Sequence, residues 1–482
     1  MIPDLDPSVL DAMARRTFLR NSAMGLGSIA LADMLRAGDG GIINDLHHTP
    51  RTKRVIFLFM AGGPSHVDLF DPKPKLKEMD GKKIPPHLLK DHQSFALIRG
   101  LPALKGSPYS FSKHGKSGTV ISELMPELSK VADDLTVINS MVADSANHTP
   151  ATFQQNTGFQ LNGFPVMGSW ISYGLGTETE DLPAYVVLPD SRGYPAGGTI
   201  NWSNGFLPST HQGVAFDTSS SIPIPDLLPP EGLSYKTDAA SRALLASLNA
   251  RDLERHGLED AMRARIRSHE LAARMQLSVP GVADLEQEHP ATRAMYGLDQ
   301  EATRDFGRSC LLGRRLLEKG VRFVQLISGG SFGSPRINWD GHEDMRRNHD
   351  REALRIDQPV AALLRDLKQR GMLEDTLVLF TTEFGRTPYA QSAADKVGPG
   401  RDHNMYAFSL WMAGAGLKPG MAYGETDEIG LKASRNPVHW HDFHATVLHL
   451  LGMDHEALTF YHNGIERRLT NVHGKVLRPI LS

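Results

Sequence analysis

Short runs of apolar, often β-branched residues recur along the chain, and polar loops separate them. Each run has the length of a buried strand. The runs lie at 54–60, 135–139, 184–188, 321–327, 376–381 and 407–412. Helical patterns of apolar residues lie between several of them, at 120–132, 309–319, 356–370 and 444–451. This alternation predicts an α/β fold with a mostly parallel central sheet and helices on both faces.

The stretch 193–295 breaks this alternation. Residues 193–233 are rich in Gly, Pro, Ser and Thr and lack periodicity, and 239–275 has the pattern of two amphipathic helices that separate near Gly257. The chain, at 482 residues, is longer than the roughly 250–300 residues at which single cores stop growing. We therefore predict one large domain at 41–482 that carries an insertion at 193–295.

The amino-terminal segment has the pattern of an export signal. Arg15 and Arg16 precede Phe18 and Leu19, and a moderately apolar, glycine-interrupted stretch follows at 22–35. This combination matches a twin-arginine signal, although a basic cap on an amphipathic helix would look similar. We expect residues 1–40 to engage the twin-arginine export machinery and to direct the protein to the periplasm or the cell surface.

Composition narrows the remaining classes of protein. The net charge is −3 with 22% charged residues, which is an ordinary balance and does not point to a nucleic-acid partner. After the signal the longest apolar run is 55–61, far below the roughly 20 residues that a membrane helix needs. We expect no transmembrane span apart from an uncleaved signal. Cys310 is the single cysteine, so the chain cannot form an internal disulfide.

Polar loops follow the predicted strands, at the edge of a parallel sheet where ligands bind. After 54–60 come Gly62, Gly63, His66 and Asp68. These residues have the composition either of a functional loop or of a turn with its own hydrogen bonds.

His148 and Thr149 follow the second predicted strand, where a helix is expected to begin. A helix amino terminus stabilises anions and alkoxide nucleophiles. Thr149 can equally be an N-cap residue, with Pro150 at the first helical position.

The loop after 321–327 is dense in carboxylates and imidazoles, including Asp340, His342 and His349. This mixture suits zinc, manganese or iron, while the alternative is the solvated start of a helix. The next loops supply Glu383 with Arg386, and then Arg401 with His403. Either arginine can bind an anion through its planar fork, or pair structurally with Glu383 or Asp402.

Four segments carry a resemblance to a known family. They are Thr381–Gly385, Trp339–His342, Gly400–His403 and Asp442–Gly452. Together they resemble a planctomycete-type family of twin-arginine-exported, sulfatase-like proteins, which is similar to the alkaline phosphatase superfamily. The likeness covers nearly the whole chain and implies an alkaline-phosphatase-like three-layer α/β sandwich.

The resemblance places Asp340, His342 and His403 as ligands of one metal, with Glu383 where an aspartate is usual. The other metal site departs from the family pattern. Phe384 replaces a histidine, and Gly62 and Gly63 occupy the usual aspartate positions. Candidate substitute ligands are His66, Asp68 and His349.

The sulfatase motif Cys-x-Pro-x-Arg is absent, and His148 or Thr149 stands in its place. Formylglycine chemistry is therefore excluded. The resemblance implies that His148 or Thr149 acts as nucleophile or proton carrier, that Arg386 stabilises developing negative charge, and that Arg401 binds an anion.

These observations lead us to expect an exported hydrolase of sulfate, phosphate or related esters, acting on a small molecule or a polysaccharide. Its cofactor would be a divalent ion, and the sequence does not distinguish zinc, manganese, calcium, magnesium and iron. The alternative is a catalytically degenerate, sulfatase-like protein that binds anionic polysaccharide or serves as a scaffold. A third interpretation is a redox metalloenzyme.

Overall fold

The computed structural model describes residues 41–90, 101–220, 222–225, 227–228, 234–256, 260–330, 338–393 and 396–482. The predicted signal at 1–40 and the predicted helix break at Gly257 lie outside the described residues. No helix in the described part combines the length and the apolar character that crossing a membrane requires.

Seventeen strands are assigned within these residues. They are β1 (Arg54–Met60), β2 (Phe111–His114), β3 (Thr119–Ser122), β4 (Leu135–Val142), β5 (Tyr185–Leu188), β6 (Val214–Ala215), β7 (Phe323–Ser328), β8 (Thr376–Thr381), β9 (Gly385–Ala393), β10 (Lys396–Asn404), β11 (Phe408–Gly414), β12 (Met421–Tyr423), β13 (Glu425–Thr426), β14 (Ala433–Arg435), β15 (Val438–His439), β16 (Phe460–His462) and β17 (Ile465–Arg467).

The helices of the described residues fall between these strands. They are α1 (His66–Leu69), α2 (Pro74–Glu78), α3 (His148–Thr157), α4 (Met167–Leu175), α5 (Tyr235–His256), α6 (Asp260–Ala283), α7 (Pro290–Met295), α8 (Arg304–Glu318), α9 (Met345–Gln369) and α10 (Trp440–Leu450). Short 3-10 turns are present at Pro86–Leu89, Leu128–Asp134, Gly198–Trp202, Ser209–His211, Leu285–Gln287, Met372–Glu374 and Arg478–Ile480.

Nine of the described strands form the central sheet, in the order β12-β4-β11-β8-β1-β7-β5-β6, with β15 beside β4. All neighbouring pairs are parallel except the two that β11 makes with β4 and β8. In the middle, Ile56 of β1 is in register with Val324 of β7 and Val378 of β8. The predicted α/β class with a mostly parallel sheet is confirmed.

Alternate residues of β1 enter two separate cores, one on each face of the sheet. Ile56, Leu58 and Met60 pack in the core that α8 and α9 cover. Val55, Phe57 and Phe59 pack in the core that α4 and α10 cover. A strand that is buried on both faces must be apolar at every position, which explains the uninterrupted apolar run in the sequence. The three-layer arrangement is therefore also confirmed.

The prediction of a helix at 120–132 is wrong. Residues Thr119–Ser122 form β3, which pairs with β2, and a 3-10 turn follows at Leu128–Asp134. The β-branched side chains of Thr119, Val120 and Ile121 favour a strand, and Pro126 interrupts a helix. The helix predicted at 356–370 is also too short, because α9 begins at Met345.

The stretch predicted as an insertion contains the two expected helices, α5 and α6. It also contributes β6, which pairs with β5 and forms one end of the sheet. This part of the chain is therefore joined to the main sheet by backbone hydrogen bonds.

The segment after β8 forms an antiparallel hairpin of β9 and β10 outside the main sheet. Its register places His403 opposite Arg386. Since β1, β4, β7 and β8 all end at the same edge of the sheet, the loops that follow them meet this hairpin there.

Candidate metal centre

Four side chains converge at the carboxyl edge of the sheet: His148, Asp340, His342 and His403. One ligand atom from each lies within 4.8 Å of all the others. Asp340 Oδ1 is 3.3 Å from Nε2 of His148, 2.9 Å from Nε2 of His342 and 3.3 Å from Nε2 of His403. Among the described residues, these four side chains form the group of His, Cys, Asp and Glu side chains that could hold a metal ion.

Separate elements bring these side chains together. His148 is the first residue of α3, whose N-cap is Asn147. Asp340 and His342 lie in the loop that precedes α9, and His403 lies on β10. Asn147 rather than Thr149 caps α3, since its side chain accepts from the Thr149 amide at 3.3 Å. The alternative of Thr149 as N-cap is therefore wrong.

Each imidazole is oriented by an oxygen atom on its far side. The three contacts to Nδ1 are Glu383 Oε1 with His148 at 2.7 Å, the Ala146 carbonyl with His403 at 2.6 Å, and the Gln391 side-chain oxygen with His342. Because these oxygens accept hydrogen bonds, each Nδ1 carries the proton and donates it. The three Nε2 atoms then face Asp340, which is how metal-binding histidines are commonly held.

Glu383 lies behind His148 rather than in the cluster. It is fully buried, and its two carboxylate oxygens accept the Gly62 amide at 2.9 and 3.1 Å. Its Oε2 also accepts the Thr382 hydroxyl at 3.1 Å. The structure thus favours the view that Glu383 orients a ligand from outside the cluster.

Arg386 is fully buried and contacts Asp340 directly. Its Nη2 donates to Asp340 Oδ1 at 2.7 Å, and its Nε donates to the Gly63 carbonyl at 2.8 Å. Burial alone would raise the pKa of Asp340, but the Arg386 charge and the surrounding imidazoles hold it well below its usual range. Asp340 is therefore a carboxylate, and Arg386 fixes its position.

Arg401 forms a buried ion pair with Asp68. Its Nε donates to Asp68 Oδ2 at 2.7 Å, and Nη2 donates to Oδ1 at 3.2 Å. Both side chains have no exposed surface. The structural pairing that the sequence allowed is therefore present, but with Asp68 in place of Glu383 or Asp402.

The two other candidate substitute ligands also lie outside the cluster. His66 Nε2 contacts the Gly430 carbonyl at 2.9 Å. His349 Nε2 accepts the Ser65 amide at 2.9 Å, and its ring packs edge-on against Trp339. Burial lowers the pKa of His349 to about 3. Both imidazoles, like Asp68, hold the Gly62–Asp71 region in place.

An aromatic contact occupies the space beside the cluster. The Phe384 ring is 4.9 Å from the His148 ring and 4.3 Å from the His403 ring, measured between centroids. A Cβ atom on Gly63 would come within 2.8 Å of this ring, and Gly63 has a φ of +75°. Glycine is required there by close packing and by backbone conformation. Phe384 and Gly63, which both differ from the family pattern, thus pack against each other.

The donor set of the cluster fits a transition ion. Nitrogen and oxygen ligands of zinc, at about 2.0–2.2 Å, stand roughly 3.3 Å apart in a tetrahedral arrangement, close to the separations given above. The Nε2 atoms of His342 and His403 are 2.7 Å apart, and two lone pairs at this distance repel unless a proton or a cation lies between them. Burial, followed by the Arg386 charge, holds the pKa of His403 well below its usual value, which keeps this ligand neutral.

Solvent reaches the cluster from one side. The side chain of His342 is 23% exposed and those of His148 and Asp340 are 14% exposed, while His403 is almost completely buried. A small ligand can therefore approach the cluster past His342.

Burial would lower the pKa of His148, but hydrogen bonds to Asp340 and Glu383 raise it overall.

Sequence reasoning missed Gln391 and the Ala146 carbonyl as partners of the cluster. Gln391 lies on β9, in a segment without a hydrophobic period. A main-chain carbonyl leaves no trace in the sequence. His148 was expected to be a nucleophile or proton carrier, and the structure places it among the prospective ligands.

The fold and the cluster define an α/β protein with a candidate metal centre at the carboxyl edge of its sheet. Residues 52–481 match the family described as "Protein of unknown function (DUF1501)", and the chain belongs to this family. A search among curated proteins found no match.

Solved structures that this chain is similar to include two enzymes and one periplasmic domain. They are the PsFucS1 sulfatase from Pseudoalteromonas sp. (13% identity, covering 88% of this chain and 72% of that one, TM-score 0.35), the phosphonate monoester hydrolase SpPMH from Silicibacter pomeroyi (13%, 74% and 71%, TM-score 0.33) and the C-terminal periplasmic domain of EcEptC from Escherichia coli in complex with Zn (10%, 86% and 87%, TM-score 0.31).

Proposed function

We propose that this protein is an exported, metal-dependent hydrolase of sulfate, phosphate or related esters. The observation that carries the proposal is the orientation of three imidazoles, each with Nδ1 on an oxygen and Nε2 toward Asp340 Oδ1. Such an arrangement is typical of a metal-binding site, and it is accessible to solvent past His342.

His148, Asp340, His342 and His403 would hold the ion. Three nitrogen donors and one carboxylate favour zinc, manganese or iron, whereas calcium and magnesium prefer oxygen ligands. A divalent ion at this position would supply a Lewis acid for polarising an ester oxygen or activating water.

The surrounding residues keep the ligands in place. Glu383 orients His148, and Arg386 orients Asp340 while its charge compensates that of the carboxylate. Since Arg386 and Arg401 are both fully buried, neither guanidinium contacts solvent. The start of α3 beside His148 is a better position for an ester anion, because amide groups at a helix amino terminus attract negative charge. Thr149 is exposed there and, with water, remains the candidate nucleophile.

Export rests on the sequence of residues 1–40. The Arg15-Arg16 pair followed by Phe18 and Leu19 supports the twin-arginine route and a periplasmic or cell-surface location. Replacing both arginines with lysine should leave the protein in the cytoplasmic fraction of its host, and unchanged export would contradict this part of the proposal.

The catalytic proposal is tested with His403→Ala and a matched control, His473→Ala, in which an exposed histidine is replaced. Bound metal, thermal unfolding and turnover of 4-nitrophenyl sulfate and 4-nitrophenyl phosphate are measured for each protein. We expect His403→Ala to lose metal and turnover while remaining folded, and the control to keep both. Turnover that survives in His403→Ala would contradict the proposal.

Two observations favour a second function. The two arginines expected to contact an ester anion are buried, and Phe384 with Gly63 fills the space beside the cluster. A protein that binds anionic polysaccharide without hydrolysing it would have the same features. Metal-loaded protein that retains dextran sulfate but not neutral dextran, and that turns over neither ester, would favour this second function.

A further inference from the structure

A cavity of about 660 Å³ lies at the edge of the sheet opposite to the metal centre. Its lining includes Leu182, Pro183 and Ala184, which immediately precede β5. Because β5 is parallel to β7 and β7 to β1, the amino end of β5 is remote from the loops that carry the cluster. The volume is within the range of about 300–1,000 Å³ that is typical of small-molecule sites.

Residues of α6 form one wall of the cavity. Arg267, Leu271 and Met275 all line it, and their spacing of four residues places them above one another on the helix. Eight residues at 1.5 Å each separate the ends of this row by about 12 Å. This row of side chains therefore has a cation at one end and two apolar side chains along the next two turns.

Other residues that line the cavity are also apolar. Leu182 and Leu227 line it and are 2% and 5% exposed. Ile224, and Ala215 at the end of β6, also line the cavity. Leu182, Leu227 and Ile224 belong with Leu271 and Met275 to one hydrophobic cluster, which forms the apolar part of the cavity lining.

The polar end of the cavity is formed by His211 and its neighbours. His211 Nδ1 is 2.9 Å from the Ser172 hydroxyl oxygen, and Tyr173 packs edge-on against the imidazole ring. Burial, together with the charge of Arg267, lowers the pKa of His211 to about 4. The imidazole is therefore neutral at physiological pH, and the cation near it is Arg267.

Among the described residues, the acids that line the cavity are Glu180 and Glu270. Both side chains are exposed, so solvent and salt screen their charges. Arg274, which also lines the cavity, donates its Nε to the Glu180 carbonyl at 2.6 Å. Arg267 is half-buried, so its charge is less screened than the charges of the two acids, and the end of the cavity near His211 favours an anionic group over a cationic one.

We propose that this cavity binds a small amphiphile, with an elongated apolar body along Leu271 and Met275 and an anionic head beside Arg267 and His211. This site is independent of the metal centre and goes beyond the hydrolase function proposed above.

Calorimetric titration of the full-length protein with decanoate and with decan-1-ol tests the proposal. The two probes share an apolar chain, and decanoate alone carries a charge. We expect decanoate to bind once per chain and at least about tenfold more tightly than the alcohol, a difference of about 1.4 kcal/mol. No saturable binding, or equal affinity for both probes, would overturn the proposal.

Two variants and one control locate the binding. Arg267→Met should remove the preference for decanoate, and Leu271→Gln should weaken both probes. Arg251→Met replaces an exposed arginine of α5 that does not line the cavity and should bind like the unaltered protein. Circular dichroism and bound-metal content are recorded for every variant. An unchanged preference in folded Arg267→Met would also overturn the proposal.

Discussion

The carboxylate of Glu383 lies 2.7 Å from Nδ1 of His148. Glu383 lies in the loop between β8 and β9, and His148 begins α3, so this contact joins two distant segments at the carboxyl edge of the sheet. The same carboxylate accepts the Gly62 amide from the loop after β1. One buried acid therefore fixes both the tautomer of an imidazole and the position of a glycine turn.

Replacing Glu383 with glutamine should weaken metal binding by about 10–100-fold, which is the usual effect of removing the partner of a metal-binding histidine. The amide retains one acceptor for either His148 or Gly62 but loses the negative charge. Competition with a chelator of known affinity measures the change.

The matched control for this variant is Glu374→Gln, which changes an exposed glutamate outside the site. It should bind metal with unaltered affinity. Equal affinity of Glu383→Gln and the control would show that Glu383 does not orient His148 for a metal.

Replacing Arg401 with methionine should destabilise the fold by roughly 3–5 kcal/mol, because the buried carboxylate of Asp68 loses its cationic partner. Urea denaturation measures this loss. Combining Arg401→Met with Asp68→Asn should restore part of the stability, since the uncompensated charge is removed as well.

The same variant tests the anion-binding role that the sequence suggested for Arg401. A structural role predicts that molecules which remain folded keep their KM for an aryl sulfate or phosphate. A stable Arg401→Met protein with a greatly raised KM would instead assign Arg401 to substrate binding.

Acidification should destabilise the protein through the buried histidine His444. Its Nε2 donates to the Gln155 carbonyl at 2.8 Å, and burial lowers its pKa to about 3. In the unfolded chain the imidazole takes up a proton below its ordinary pKa of about 6.5, whereas the folded protein excludes that proton until about pH 3. The free energy of unfolding therefore falls as the pH decreases through this window.

The His444→Gln variant keeps a donor for Gln155 and removes the titration. Between pH 6 and 4.5 its free energy of unfolding should fall less steeply than that of the unaltered protein, by about 1.4 kcal/mol per pH unit. Urea denaturation at several pH values provides the comparison, with His473→Gln as a surface control. Identical slopes in all three proteins would refute the assignment.

The hydrophobic pattern predicted the main sheet because its strands are buried on both faces. The run at 54–60 coincides with β1, and the run at 376–381 coincides with β8. The predicted helix at 120–132 failed because apolar spacing outweighed two local signals, the β-branched Thr119–Ile121 and Pro126.

The hairpin of β9 and β10 was beyond the reach of hydrophobic periodicity. Many of its buried positions are polar, including Arg386, Thr387, Arg401 and His403. These side chains are buried because ion pairs and hydrogen bonds satisfy them, and a pattern of apolar residues does not report such partners.

The resemblance to the sulfatase-like family identified three of the four cluster residues as prospective ligands, Asp340, His342 and His403. The density of imidazoles and carboxylates by itself pointed only to the loop that holds Asp340 and His342. The membership of His148 and the supporting role of Gln391 depend on contacts between segments far apart in the chain. The partner of Arg401 was also nonlocal, since Asp68 lies 333 positions earlier.

The number of metal ions bound per chain tests the central claim most directly. The purified protein and a His342→Ala/His403→Ala variant would be equilibrated in turn with zinc, manganese, iron(II) and magnesium, freed of loosely bound ions and measured by mass spectrometry. We predict close to one tightly bound transition-metal ion per chain, little magnesium, and almost no metal in the folded variant. A folded, unaltered protein that retains no ion after supplementation, or a variant that retains its ion, would contradict the account.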